Sequence, residues 1–139
     1  MEKIQFDVGQ RNYRINGGGI LRFNPGDPNV YARFMEAVEK LQKVEEELTQ
    51  TPETAQAEEI LKRMSQADEK MKEILNWVFG ADNDFKKLLN GVNLLAVADN
   101  GQRVVTNLFE ALEPVLVEGA RRCAGDLAAK AKEARQKRV

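Results

Sequence analysis

Residues 28–80 read PNVYARFMEAVEKLQKVEEELTQTPETAQAEEILKRMSQADEKMKEILNWVFG, and the placement of their apolar side chains decides the fold. After Pro28, apolar residues fall at Tyr31, Phe34, Val38, Leu41 and Leu48, with Glu45 in the one slot that breaks the row. After Pro52 they fall at Ala57, Ile60, Met64, Ala67, Met71, Ile74 and Val78, in alternating steps of three and four. That spacing is a heptad seam, one narrow apolar stripe on helices whose other faces are Glu, Lys, Arg and Gln. Asp27 before Pro28 predicts a helix start, with a side-chain acceptor at the cap and proline in the first turn. Thr51 and Pro52 predict a second start, with Glu53, Glu58 and Glu59 near the positive end of the helix dipole. Gly80 is placed to end the second helix. A connection at Thr51-Pro52 is short enough to make the two helices antiparallel neighbours. The stripe reads first as intramolecular core. The small Ala57 and Ala67 keep open a second reading, in which part of it is an oligomer or partner seam.

Ahead of this pair, Ile4, Phe6 and Val8 alternate with Lys3, Gln5 and Asp7, and Tyr13 and Ile15 continue the alternation. A period of two predicts a β ribbon over residues 1–24, turning at Gly9-Gln10, with a third short strand at Ile20–Phe23. Gly17-Gly18-Gly19 is read as a turn or connector. As a phosphate loop it lacks the following Lys-Ser/Thr and an immediate helix. A ribbon of this length needs cover, either from the helices or from another chain. Asn24-Pro25-Gly26 is a dense turn between ribbon and helix.

Beyond Gly80, Asp82 or Asn83 is expected to cap a short helix through Phe85, Leu88 and Leu89 that stops at Asn90-Gly91. Capping fits Asp82-Asn83-Asp84 better than calcium, whose loops need alternating ligands, a central glycine and a terminal bidentate acid. Val92–Ala98 is continuous in apolar character and compatible with either a buried helical turn or an extended piece. A last long helix is expected from near Gly101 past Lys130, with a broad apolar face from Val104 to Leu127. Pro114 should kink or split it, and Gly119 and Gly125 each weaken it by roughly 1 kcal/mol relative to alanine. Cys123, among Ala120, Ala124 and Leu127, reads as a small buried residue. The last ten or so residues lack an apolar stripe and are expected to project and fray unless a partner takes them. That broad face exceeds what a narrow-striped pair can cover, so a second chain is expected to supply the rest.

The 139 residues suit one domain, mainly α with a short N-terminal β ribbon (α+β), built as an antiparallel helical hairpin plus a long, kinked C-terminal helix. The net charge of −1 argues against a global attraction to nucleic acid or acidic membranes, although Arg121–Val139 holds seven basic and two acidic residues. No apolar stretch is long enough to cross a bilayer and no signal peptide is visible, so a cytoplasmic setting is expected. Histidine is absent and cysteine occurs once, which removes the commonest general base and metal ligand and leaves Cys123 unable to form an internal disulfide. The carboxylates alternate with Lys and Arg at helical contact spacing, Asp68 and Lys72 among them, and read as a solvated, salt-bridged face. No catalytic, cofactor or metal site is expected. Trp77 and Phe79, with Phe109, Leu112 and Leu116, are the candidates for partner binding if they are exposed.

The ribbon, then Phe23-Asn24-Pro25-Gly26-Asp27-Pro28-Asn29, a helical pair ending Trp77-Val78-Phe79-Gly80, and Asn107–Pro114 ahead of a basic helical terminus form a recognisable order. It resembles small proteins encoded in tail modules of long-tailed bacteriophages and Gram-positive prophages, of the tail assembly chaperone kind. The resemblance implies a non-enzymatic, self-associating protein that binds the tape-measure protein and keeps it soluble while tail-tube subunits assemble. A structural or adaptor protein of the tail is the alternative, and a regulator using the basic C-terminus on nucleic acid is a third.

Overall fold

Asp27 opens the first helix as its place before proline requires, its carboxylate accepting the Asn29 N–H at 2.9 Å. The computed structural model describes residues 1–80 and 82–138. Two strands, β1 (Arg11–Arg14) and β2 (Ile20–Phe23), precede four helices, α1 (Pro28–Thr49), α2 (Ala57–Phe79), α3 (Phe85–Leu88) and α4 (Val104–Lys137). The fold is mainly helical α+β: a two-stranded antiparallel ribbon, a helical hairpin and a long C-terminal helix.

The hairpin is antiparallel. Arg33 near the start of α1 donates from Nε to the Val78 carbonyl near the end of α2 at 3.0 Å, and Glu47 at the far end of α1 meets Lys70 at 3.8 Å. Its stripe is turned by about one residue from the expected row. Val30, Phe34, Ala37, Leu41 and Val44 of α1 are buried, while Tyr31 and Val38 sit half-buried at the edge. Val44 fills the place where Glu45 would have interrupted the seam. On α2 the buried set is Ala67, Met71, Leu75, Val78 and Phe79, and the first turns, with Ala57, Ile60 and Leu61, stand in solvent. The second helix starts five residues later than expected. The Thr51 hydroxyl donates back to the Leu48 carbonyl at 2.7 Å and so closes α1 instead of capping α2. Pro52 opens a separate turn, in which the Ala55 N–H donates to its carbonyl at 2.9 Å. Gly80 ends α2 with a φ of 104°, a value that a side chain would strain.

Of the two turns expected, the one ahead of the Ile20–Phe23 strand forms, one residue earlier than Gly17-Gly18-Gly19, and the one at Gly9-Gln10 closes no hairpin. Its register pairs Arg11 with Phe23 and Tyr13 with Leu21, so the turn is Asn16-Gly17, both with positive φ (49° and 74°), as the I′ class requires. Residues 3–8 form no strand. The Asp7 carboxylate accepts the Gly9 N–H at 2.7 Å, and the Val8 carbonyl accepts from the Asn24 side-chain amide at 3.0 Å. These bonds carry the first residues away from β1. The inner face of the ribbon packs on the helices: Phe23 stacks on Tyr13 (5.1 Å between centroids) and meets Phe79 edge-on at 4.8 Å, and Phe79 lies 5.6 Å from Phe85.

Asp84, not Asp82 or Asn83, caps α3, accepting the Lys86 N–H at 3.1 Å. Asn83 is buried and plugs the ribbon instead. Its Oδ1 accepts the Arg22 N–H and its Nδ2 donates to the Arg22 carbonyl, both at 2.8 Å, while Nδ2 also donates to the Phe79 carbonyl at 2.9 Å. One amide thus imitates a neighbouring strand and satisfies the end of α2.

Asp68 and Lys72 do not belong to a solvated face. They form a buried ion pair at 2.9 Å. Asp68 also accepts the Leu94 N–H at 2.8 Å, and Lys72 also donates to the Val92 carbonyl at 2.8 Å. The pair fastens the Val92–Ala98 segment to α2 as an irregular, partly extended piece with Leu94 and Leu95 in the core. Val97 bridges antiparallel to Arg103 across the Asp99-Asn100-Gly101 turn, and the Val104 and Val105 N–H groups donate to the Ala96 and Leu94 carbonyls.

α4 is continuous through Pro114, which does not split it, and it remains helical to Lys137. Phe109 meets Phe34 edge-on at 5.3 Å, and Gly119 touches the Pro25-Gly26 turn that precedes α1, so α4 runs antiparallel to α1. Gly119 is glycine for a steric reason. A Cβ there would lie 1.9 Å from the Pro25 carbonyl oxygen. The first half of α4 packs on α1, the Val92–Ala98 segment and the Pro25 turn of its own chain.

Candidate interaction surfaces

The five expected partner residues divide sharply. Phe79, Leu112 and Leu116 lie in the core, and Phe109 is half-buried against it. A partner would reach them only by opening the fold. Trp77 alone is exposed, at 41%, on the outer side of the hairpin, with Lys40 Nζ 4.0 Å from its ring centroid. A cation over an indole is an attractive electrostatic contact, worth ~0.5–1 kcal/mol at an exposed site. Val44 and Ile74 complete a shallow groove beside it, flanked by Lys70 and Glu73.

Two other segments present more surface. The first is the arm before β1, where Ile4, Phe6 and Val8 are 90%, 77% and 59% exposed. Its period of two was visible in sequence. Among the described residues it pairs with no strand, because the bonds of Asp7 and Asn24 carry it away from β1.

The second is the end of α4. Each residue of Arg121–Lys130 is exposed, and of the rest to Arg138 only Ala131 is partly covered. At 1.5 Å per residue the overhang is about 27 Å long. Such a helix standing alone is marginally stable, because most helical stability comes from packing one face. Ala120, Ala124, Leu127, Ala131 and Ala134 recur at steps of four and three along it. Cys123, expected to be buried, is exposed at the rim of a groove lined by Asp7, Gly9 and Pro25. Around this stripe stand Arg121, Arg122, Lys130, Lys132, Arg135, Lys137 and Arg138, against Asp126 and Glu133. Lys130 pairs with Asp126 at 3.3 Å and Lys137 with Glu133 at 3.2 Å, both one helical turn apart. Residues 1–120 carry twenty acidic and fourteen basic residues, six of the acids lying at the far end of the hairpin between Glu45 and Glu59.

Among the described residues no group of three or more His, Cys, Asp or Glu is placed to hold a metal ion. No helix among them is long and apolar enough to cross a membrane. The chain matches no protein-family model, no curated protein and no solved structure.

Proposed function

We propose that this chain is a non-catalytic protein of bacteriophage or prophage tail morphogenesis, a tail assembly chaperone that holds a helical tape-measure client. The observation that carries the proposal is the overhang of α4, a helix with a repeating Ala/Leu stripe, basic flanks and no packing partner among the described residues. Its geometry suits an amphipathic client helix with acidic flanks, which would lie along the stripe and bury its own apolar row. Binding then works by mass action, lowering the free client available to aggregate. The resemblance of the order of sequence features to that of tail assembly chaperones supports the same reading, with action in the cytoplasm of the bacterial host. Co-expression with the tape-measure protein of the same tail module tests it. The client should stay soluble and co-purify with the full chain, and both effects should be lost with a chain ending at Ala120. Insoluble client and no co-purification with the full chain would refute the proposal.

The seven basic residues of Arg121–Val139 favour one competing reading, a regulator that uses the overhang on nucleic acid. That binding would weaken steeply between 50 and 200 mM salt in titrations with duplex DNA, roughly in proportion to the number of phosphates contacted. Client capture through the Ala/Leu stripe would persist across the same range.

A further inference from the structure

The ribbon has two edges, and one of them is closed. The Ile15 N–H donates to the Gly19 carbonyl at 2.9 Å, and the register carries that bonding sense down the ladder, so Arg11 and Tyr13 turn their main-chain groups toward β2 while Asn12 and Arg14 turn theirs outward. On β2 the same alternation turns Arg22 outward, where Asn83 takes both its N–H and its carbonyl. Among the described residues no backbone group or side chain does the same for Asn12 and Arg14. A free edge of this kind is a template for another strand.

The arm before β1 has the alternation of a strand but no ladder. Its Ile4 and Phe6 side chains alternate with polar ones and lie in solvent. It cannot lie along its own β1 while the present bonds hold. Asn24, just past β2, grips the Val8 carbonyl, and Gly9 is pressed against the Asn24 side chain, which would lie 2.6 Å from a Cβ there. The chain therefore leaves on the side of β2, where Asp7 and Gly9 share a groove with Pro25 and Gly119, opposite the open edge of β1.

We infer that the arm of one chain adds as a third strand to the open β1 edge of a second copy, reciprocally, antiparallel and with Phe6 opposite Tyr13. The register follows from three constraints. The outward groups of Asn12 and Arg14 must meet those of Asp7 and Gln5, which places Phe6 against Tyr13 and Ile4 against Ile15. Ile4 and Phe6 then extend the face on which Tyr13 and Ile15 already pack against the core. A slip of one residue would turn them onto the face of Arg14 and Arg22 instead. Charge agrees: residues 11–23 carry Arg11, Arg14 and Arg22 and no acid, while the arm brings Glu2 and Asp7 against one Lys3. Each arm of six residues reaches about 20 Å. Exchanging two of them buries on the order of 1,000–1,500 Å², the range of specific interfaces.

The test uses the full chain in a Cys123→Ser background. Multi-angle light scattering should give a dimer, and removal of residues 2–6 should give a monomer with an unchanged helical circular dichroism spectrum. Ile4→Cys combined with Ile15→Cys should oxidise to a covalent dimer on a non-reducing gel, since directly opposed non-hydrogen-bonded residues lie about 4.5 Å apart between Cα atoms, within disulfide reach. Gln5→Cys with Ile15→Cys, one residue out of register and on the opposite face, should not. A full chain that is monomeric at high concentration, a truncation that leaves the mass of the assembly unchanged, or a disulfide that closes within one chain would each overturn the inference.

Discussion

Replacing Asp68 by alanine should cost more stability than breaking any of the exposed ion pairs of the hairpin. Asp68 is 8% exposed and Lys72 5%, so both ends of the ion pair have left water. The carboxylate holds two groups that have no ready substitute, the Lys72 ammonium at 2.9 Å and the Leu94 N–H at 2.8 Å. Removing one partner of a buried pair leaves the other charge uncompensated, which typically costs about 3–5 kcal/mol. Lys72 keeps its bond to the Val92 carbonyl at 2.8 Å, which places the loss toward the lower end of that range. The orphaned Leu94 N–H adds roughly 1 kcal/mol or more. The sum is about 4 kcal/mol, a large share of the roughly 5–15 kcal/mol by which domains are stable. For a chain of this size it corresponds to a fall in Tm of about 12–16 °C. Urea unfolding followed by circular dichroism reads it directly, with the midpoint shifted and the slope unchanged. Asp68→Leu with Lys72→Met should recover at least half of the loss, because an apolar pair of similar volume carries no desolvation cost. A loss below about 1 kcal/mol for Asp68→Ala would refute the reasoning, since only a water-screened pair is that weak.

Other expectations are smaller in scope. Gly119→Ala should destabilise by about 2–3 kcal/mol, because the Pro25 turn must move off the helix. Gly125→Ala, with nothing within 4 Å of its Cβ, should stabilise by about 0.5–1 kcal/mol through helix propensity alone, and thermal melts of the two variants should move in opposite directions. Asn83→Ala should cost about 2–3 kcal/mol by leaving the Arg22 main-chain groups and the Phe79 carbonyl without partners. It should also speed hydrogen exchange at the Arg22 amide, and unchanged protection there would show that the amide does not rely on Asn83.

How far the fold was legible in the sequence depended on whether a local signal had competitors. Asp27-Pro28 and Gly80 marked helix ends correctly because each satisfies a requirement of the helix terminus itself. Thr51-Pro52 had the same chemistry but misled, because the Thr51 hydroxyl found the Leu48 carbonyl first. The alternation of Ile4, Phe6 and Val8 is a sound strand signal, yet pairing is a property of two segments and sequence shows only one. The turn ahead of Ile20–Phe23 was legible in its glycines, with Asn16-Gly17 as the dipeptide that closes it, whereas the turn expected at Gly9-Gln10 has no second strand to join. Asp68 and Lys72 share the i,i+4 spacing of the exposed Glu59–Arg63 pair. Only the later docking of Leu94 and Val92 tells a buried pair from a solvated one. For the same reason Phe79, Leu112 and Leu116 could not be separated from Trp77 as surface candidates, since burial depends on segments distant in the chain. The α4 overhang was legible as a basic end, but its Ala/Leu row was passed over as too weak, and its starting point was hidden, because Gly119 reveals its contact with Pro25 only in three dimensions.

The overhang also alters what the net charge of −1 means. Under physiological conditions a charge is felt over about 8 Å, far less than the roughly 27 Å over which the end of α4 stands clear of the body. A molecule approaching the helix therefore meets a cation, and one approaching the hairpin meets an anion, each nearly unaware of the other. This near-neutral chain therefore presents two oppositely charged ends, and its field draws an approaching partner to one or the other by its own sign before any contact is made.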